Sequence, residues 1–192
     1  MGAGTAGIVL WAVFLISWQV AAFWRSRTAA QTPWWSRAGD YVIHLVAFAL
    51  LLAAPGASGP MWHAPAALEW ALVAAEAGAF AFAWWARIHL GRLWSGMITL
   101  QEGHRLVDTG PYRLARHPIY TGFLGAAWAF ALLISAPASM LGAMILTAQM
   151  TWKARREEAF LRREMPAADY DAYAARVPML IPFFPVRRQV GH

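Results

Sequence analysis

Four long apolar runs, each with at most two charged residues, constrain this chain more than any other feature of its sequence. They cover residues 5–24, 41–55, 66–86 and 119–152. A helix needs about 20 mostly apolar residues to cross a hydrocarbon core of roughly 30 Å. Only 14% of the 192 residues are charged and 59% are hydrophobic, whereas about 25% are charged in an average soluble chain. The sequence therefore predicts an all-α integral membrane protein.

The number of crossings follows from the breaks in these runs. Residues 119–152 are too many for one crossing, and Pro137 with its small neighbours in residues 135–139 divides them, because proline interrupts a helix. We expect a tight hairpin of two short helices there, hence about five transmembrane helices, followed by a C-terminal helical segment. The first run lacks a preceding positive cluster and a cleavage site, so we expect a retained helix and not a signal peptide.

The distribution of positive charge predicts the orientation. If the N-terminus lies outside, the outer segments 56–65 and 135–139 contain no Lys or Arg, and all 16 of these residues fall on the cytoplasmic side, as the positive-inside rule requires. Topology and contact with anionic membrane lipids then explain the net charge of +6, so we expect no nucleic-acid partner. The absence of cysteine excludes disulfides, thiolate metal sites and a cysteine nucleophile, and we expect no metal.

The two sizeable polar regions, residues 87–118 and those after Trp152, both lie on the predicted cytoplasmic side, and any chemistry should occur where they meet. In the first region, Gly110 and Pro111 predict a turn before Tyr112. Pro118 suits the first position of a helix. His117 would then cap this helix, beside the positive end of its dipole, which is a place for an anionic group. Tyr120 and Gly122 follow in the first turns, where glycine permits close approach.

The second polar region places a cation and a carboxylate together. Lys153 and Glu157 are four residues apart and share one helix face, directly below the predicted hairpin, so they can bind a polar ligand whose tail stays in the membrane. We expect Glu158 to lie on a solvated face, paired with Arg162. The segment from Tyr170 to Pro178 is predicted to be amphipathic and to lie on this site or on the membrane interface.

The order of five short motifs resembles the isoprenylcysteine carboxyl methyltransferase family, over roughly residues 87–182. These are integral membrane enzymes that transfer a methyl group from S-adenosylmethionine. The motifs are H-x-L-V at His104, G-P-Y ending at Tyr112, R-H-P-x-Y-x-G at Arg116, E-E-x-x-L at Glu157, and Y-x-x-Y-x-x-R-V-P at Tyr170. The apolar runs predict three N-terminal transmembrane helices in residues 1–86, and the motifs place the catalytic region in residues 87–192.

The resemblance also implies site residues. The chain has Lys153 where the family has an Arg one turn before the first Glu, and residues 165–170 replace the common F-G-x-x-Y with one extra residue. Lys153 and Arg156 are candidate substrate-binding residues, and no catalytic residue is assigned. The candidate residues for binding S-adenosylmethionine are His104, Leu106, Val107, Tyr112, His117, Pro118, Tyr120 and Glu157.

The reaction predicted for this site is direct, in-line methyl transfer to a lipophilic or lipidated acceptor. A carboxylate acceptor is ionised at neutral pH and needs no general base, which favours O-methylation. A phospholipid amine N-methyltransferase is the alternative, and an NADPH-dependent membrane lipid reductase or a non-catalytic membrane scaffold or transporter are less favoured. His44, Glu69 and Glu76 are ionisable residues inside predicted spans. We expect the two glutamates to form hydrogen bonds between helices.

Overall fold

The structure, a computed structural model, describes residues 1–21, 35–53, 59–91, 106–164 and 167–184. These residues form α-helices, one short 3-10 helix and no strand, which confirms the all-α prediction. The helices are α1 (Ala3–Ala21), α2 (Trp35–Leu51), α3 (Ala66–Leu90), α4 (Pro118–Ile134), α5 (Pro137–Glu164) and α6 (Ala167–Ala174), with the 3-10 helix (Gly110–Arg113) before α4.

Two of the helices in the described residues, α1 and α3, are long and apolar enough to cross a membrane, judged by length and composition. The apolar part of α2 (Gly39–Leu51) and α4 are shorter. The count of five crossings, the transmembrane hairpin and the orientation stay predictions. α5 runs without a break from the apolar residues at its start into the cationic segment after Trp152, so this single helix joins the predicted span to the polar region.

The junction of α4 and α5 is fixed by one serine. Ser135 has a left-handed backbone with φ 57°, and its N–H donates to the carbonyl of Ala131, which ends α4. Its hydroxyl accepts from the backbone N–H of Trp62 at 2.9 Å and donates to the carbonyl of Trp62 at 3.0 Å. The segment before α3 is therefore anchored to this junction.

An aromatic cluster around Trp11 forms the centre of the helix packing. The Trp11 ring meets Phe48 of α2, Phe80 of α3 and Phe123 of α4 edge-to-face, with centroid distances of 5.0, 4.8 and 5.3 Å. Edge-to-face contacts suit the quadrupoles of aromatic rings. Van der Waals packing is the main source of helix association in lipid, so this cluster holds four helices together from one side chain of α1.

Glu76 of α3 is completely buried, and its carboxyl oxygens have no hydrogen-bond partner in the described part of the chain. The helix α1 lies close by, since a Cβ atom added to Gly7 would be 2.9 Å from Glu76 Oε2. The expected hydrogen bond from Glu76 to another helix is therefore wrong for these residues. The same Cβ position at Gly7 would also meet Phe130 and Leu133 of α4, whose apolar side chains carry no polar group.

Gly122 allows the close contact of α4 with α3. A Cβ atom added there would lie 2.6 Å from the carbonyl oxygen of Ala79 and 2.8 Å from the Cβ of Ala83. We expect Gly122→Ala to destabilise the protein by about 1–3 kcal/mol, because overpacking forces the backbones apart. Thermal unfolding in detergent measures this. The control is Gly78→Ala on α3, where no described atom lies within 4 Å; it should unfold no earlier than the wild type. Equal loss in both variants would contradict the steric explanation.

Candidate active site

A C-terminal segment after α6 folds back on the start of α4. The backbone N–H groups of Arg116 and His117 donate to the carbonyls of Pro178 at 2.8 Å and Met179 at 3.0 Å. The Tyr173 hydroxyl donates to the carbonyl of Tyr112 at 2.7 Å. The two polar regions predicted from the sequence therefore meet, and the segment that contains Tyr170 and Tyr173 packs on them.

Arg116 connects the two polar regions at the place where they pack together. Its guanidinium donates to both carboxylate oxygens of Glu158, through Nε at 2.7 Å and Nη2 at 3.2 Å. Its Nη1 donates to the carbonyls of Ala174 at 2.8 Å and Val177 at 2.6 Å. The fork of the guanidinium matches the two carboxylate oxygens, which a lysine could not do. Arg116 thus joins α5 and the C-terminal segment to the start of α4.

The expectation that Glu158 lies on a solvated face is wrong, whereas its expected ion pair with Arg162 is confirmed as a long contact. Its side chain is only 7% exposed, and Arg162 approaches it no closer than 3.9 Å while forming a 2.8 Å ion pair with Asp171. A buried carboxylate needs charged partners to offset its desolvation, and Arg116 and His117 supply them. Burial raises the pKa of Glu158, but the hydrogen bonds from His117 and Arg116 outweigh burial and hold that pKa at about 2.

His117 lies between the two adjacent glutamates of α5. Its Nε2 is 3.2 Å from Glu158 Oε1, and its Nδ1 is 3.4 Å from Glu157 Oε2. Both ring nitrogens can donate only in the imidazolium form. Burial lowers the pKa of His117, whereas the hydrogen bonds and charges of the two carboxylates raise it, and the net shift is upward. The two carboxylates therefore face Arg116 and a histidine whose protonated form they favour.

Glu157 is held more loosely than Glu158. Its Oε1 accepts from the Tyr120 hydroxyl at 2.7 Å, and its contact with His117 is longer than an ordinary N–H···O bond. Its side chain is 19% exposed. Burial raises the pKa of Glu157, but the hydrogen bond and charge of His117 and the charge of Lys153 lower it overall. Glu157 is thus an ionised carboxylate with capacity for further hydrogen bonds.

The aromatic rings of His117 and Tyr120 pack against each other next to Glu157. Tyr120 stacks on His117 with the ring planes 3° apart and the centroids 5.5 Å apart. The Lys153 ammonium is 5.5 Å from the centroid of the Tyr120 ring. Tyr112 is buried, and burial raises its pKa, as do the charges of Tyr173 and Glu157. His117, Tyr120 and Glu157 are therefore in direct contact with one another, and their role in binding a cofactor stays a prediction.

The other predicted site residues are less tightly grouped. Pro118 is buried and begins α4. Leu106 packs on the cluster of Tyr170, Tyr173 and Val177, and Val107 is half-buried. Arg156 forms a 3.2 Å ion pair with Asp40 of α2 and so is directed to that helix. His104 lies outside the described residues.

Sequence reasoning missed the roles of Arg116 and Glu158, although both stand beside predicted site residues. One signal could have found them. The R-H-P and E-E motifs each place a second charged residue next to the candidate one, and two opposite charges at the meeting point of two motifs are expected to pair. No group of three His, Asp or Glu in the described ranges could hold a metal ion.

Comparison with known proteins supports the resemblance seen in the motifs. Residues 71–163 match the model of the isoprenylcysteine carboxyl methyltransferase (ICMT) family, which covers α3 to the charged half of α5 and confirms the resemblance over these residues.

Three relatives illustrate the range of similar proteins. A nickel-cobalt-cadmium resistance protein NccN of Alcaligenes xylosoxydans xylosoxydans is 33% identical over 95 residues, 48% of this chain and 44% of its own length. A probable protein-S-isoprenylcysteine O-methyltransferase of Oryza sativa subsp. indica is 30% identical over 95 residues, 48% of this chain and 50% of its own. Protein-S-isoprenylcysteine O-methyltransferase B of Arabidopsis thaliana is 32% identical over 99 residues, 50% of each chain. The chain spans about half the length of the curated relatives it matches.

Proposed function

We propose that this chain, which matches the isoprenylcysteine carboxyl methyltransferase family over residues 71–163, is a membrane methyltransferase. It uses S-adenosylmethionine to methylate a carboxylate on a prenylated or similarly lipophilic acceptor. The observation that carries the proposal is the Glu157 carboxylate, which Tyr120 and His117 orient from within the matched segment. The plant relatives are named as O-methyltransferases of protein S-isoprenylcysteine, and we extend that acceptor class to this chain.

The residues of the site fit S-adenosylmethionine. A carboxylate offers about four lone-pair positions, and Glu157 uses one for the Tyr120 hydroxyl and a second for a long contact with His117. A vicinal diol or an ammonium group could donate to those that remain. Five of the candidate residues would hold the cofactor, and Leu106 and Val107 would lie at the edge of its site. The five are Tyr112, His117, Pro118, Tyr120 and Glu157.

When bound, the cofactor supplies a methyl group that is already electrophilic because it is attached to a sulfonium. The protein then needs only to bind, align and exclude water. An ionised carboxylate acceptor would need no general base, so no residue of the site would have to accept a proton. Lys153, one turn before Glu157, would attract the negative acceptor.

We also propose a multi-pass location in the membrane, with the N-terminus outside and the site on the cytoplasmic side. The two long apolar helices, α1 and α3, support the membrane location. The confinement of all 16 Lys and Arg residues to one predicted side supports the orientation. Membrane lipids would surround the helices and deliver a lipophilic acceptor from the side.

The proposal is tested with the purified full chain in detergent, using methyl-labelled S-adenosylmethionine and S-farnesyl-N-acetylcysteine, which carries one free carboxylate. We expect micromolar or tighter binding of the cofactor by calorimetry, and label in a base-labile ester. The carboxamide of the same acceptor should accept no label. Absence of cofactor binding would contradict the proposal. Base-stable label on phosphatidylethanolamine would instead indicate amine methylation.

A further inference from the structure

The polar face of α5 continues past the proposed cofactor site into the apolar half of the helix. Gln149, Lys153 and Glu157 follow one another at intervals of four residues, so their side chains lie on one helix face. At 1.5 Å rise per residue the row extends over about 12 Å. Gln149 is buried, although it lies in the run that the sequence predicts to be within the membrane.

Gln149 meets a polar residue of α2. The His44 Nδ1 is 3.0 Å from Gln149 Oε1. Because this amide oxygen only accepts, Nδ1 carries the proton and Nε2 of the neutral ring is an acceptor. The contact with His44 uses the amide oxygen of Gln149, and the amide nitrogen carries two N–H donors of its own. The contact between His44 and Gln149 therefore leaves one acceptor, His44 Nε2, and the two Gln149 N–H donors outside their mutual hydrogen bond.

The His44–Gln149 pair lies next to apolar rings, an arrangement that suits the polar end of an amphiphilic ligand. The His44 ring lies 5.9 Å from Phe48 and 6.2 Å from Phe123, measured between centroids, and both of these rings pack on the apolar core. Lys153 follows Gln149 by four residues on the same face of α5, so its ammonium lies on the side of the helix that carries the pair. Ligand sites commonly combine apolar walls with a few directed polar groups.

The charges and donors at this place favour one ligand class. Lys153 has three N–H donors and Gln149 has two, which suits a carboxylate. A cationic amine would be repelled by Lys153, and the pair would offer it only His44 Nε2 and the second lone pair of Gln149 Oε1 as acceptors. Polar residues inside a membrane protein are costly and usually functional, and a contact that served only to join α2 to α5 would not need to lie on the same face as Glu157.

We propose that the His44–Gln149 pair, together with Lys153, binds the carboxylate of the methyl acceptor, with Phe48 and Phe123 against the first carbons of its tail. This inference rests on the proposed function and adds the acceptor's binding residues to it. It also gives a structural reason for carboxylate over amine selectivity.

The test compares the binding of two probes to the full chain in detergent. They are S-farnesyl-N-acetylcysteine and its carboxamide, which differ only in charge and hydrogen bonding at the carboxyl group. The wild type should bind the acid about 10-fold or more tightly than the amide, since hydrogen bonds to a charged group are strong. In Gln149→Glu, which keeps the size and the contact with His44 but replaces the donors by a negative oxygen, this preference should disappear.

Two further variants separate binding from folding. Gln149→Met removes the polar atoms without adding charge and should also lose the preference. Thr147→Val is the matched control, because Thr147 accepts a 3.0 Å hydrogen bond from Trp128 of α4 on the same apolar half of α5; it should keep the preference. S-adenosylmethionine affinity should be unchanged in all three variants.

The outcomes are distinguishable from a failure of the proposed function. If the wild type binds S-adenosylmethionine but binds the acid no better than the amide, the inference is wrong while the proposed function stands. If it binds neither probe, both the inference and the proposed acceptor class are wrong. If both Gln149 variants keep the preference for the acid, the inference is also wrong. Loss of cofactor binding in the wild type would instead contradict the proposed function.

Discussion

Glu157→Gln is expected to weaken S-adenosylmethionine binding by about 100-fold, since two hydrogen bonds to a charged group contribute about 1.5–3 kcal/mol each. The glutamine amide can still accept from Tyr120, so the fold should survive. It brings an N–H donor to the His117 imidazolium, however, and its neutral carbonyl binds a diol or an ammonium far less strongly than a carboxylate does. Calorimetry on the purified variant measures the loss, and the rate of methyl transfer should fall at least in parallel.

The matched control for this substitution is Glu69→Gln. Glu69 lies in the first turn of α3, whereas the other end of that helix reaches the site through the stacking of His89 on Tyr112. The control should bind the cofactor as the wild type does. If Glu157→Gln binds S-adenosylmethionine with wild-type affinity, Glu157 does not contact the cofactor. The proposed function would then lose its main supporting observation.

Arg116→Met is expected to destabilise the protein by about 3–5 kcal/mol, the usual cost of leaving one member of a buried ion pair without its partner. Glu158 would keep His117 but lose two short hydrogen bonds, and the carbonyls of Ala174 and Val177 would lose their shared donor. The unfolding temperature in detergent should fall accordingly. Arg176→Met is the control, because Arg176 is exposed and donates only to the carbonyl of Ala172 in the described residues. It should change stability by less than about 0.5 kcal/mol.

The same ion pair predicts how stability depends on pH. The pKa of Glu158 is about 2 in the folded protein against an ordinary value of 4.5. Its contribution is therefore complete above pH 4.5 and is lost as the pH falls toward 2. Glu158→Gln should flatten the acid side of the stability curve while lowering stability at neutral pH. An unchanged acid limb in this variant would show that other groups govern the acid transition.

His117 acts in the opposite pH window. Its pKa is raised from the ordinary value of 6.5 by Glu157 and Glu158, against the effect of burial. Its stabilising contribution is thus complete below pH 6.5 and is lost as the pH rises through the raised pKa of the folded state. Together, the two groups place the most stable range between their transitions, and unfolding measured across pH should show both limbs.

Much of the fold and of the site was predictable from the sequence because these features are local. Apolar length and proline position predicted α1, α3 and the break between α4 and α5, since each helix is decided by its own residues. The short motifs also singled out His117, Tyr120 and Glu157, which the structure brings into contact although Glu157 lies on another helix.

Only the tertiary structure decided the partners of the buried polar groups. The structure shows that Glu158 of α5 pairs with Arg116, just before α4, and that Arg156 pairs with Asp40. His44 meets Gln149 across 105 residues. The physical reason is that a side chain's periodicity tells which face of its own helix it occupies, whereas its partner depends on how two helices cross and rotate against each other. The sequence by itself thus determined the helices and the chemical groups of the site. The packing of helix faces determined that Glu158 is buried in an ion pair with Arg116, whereas Glu157 is partly exposed.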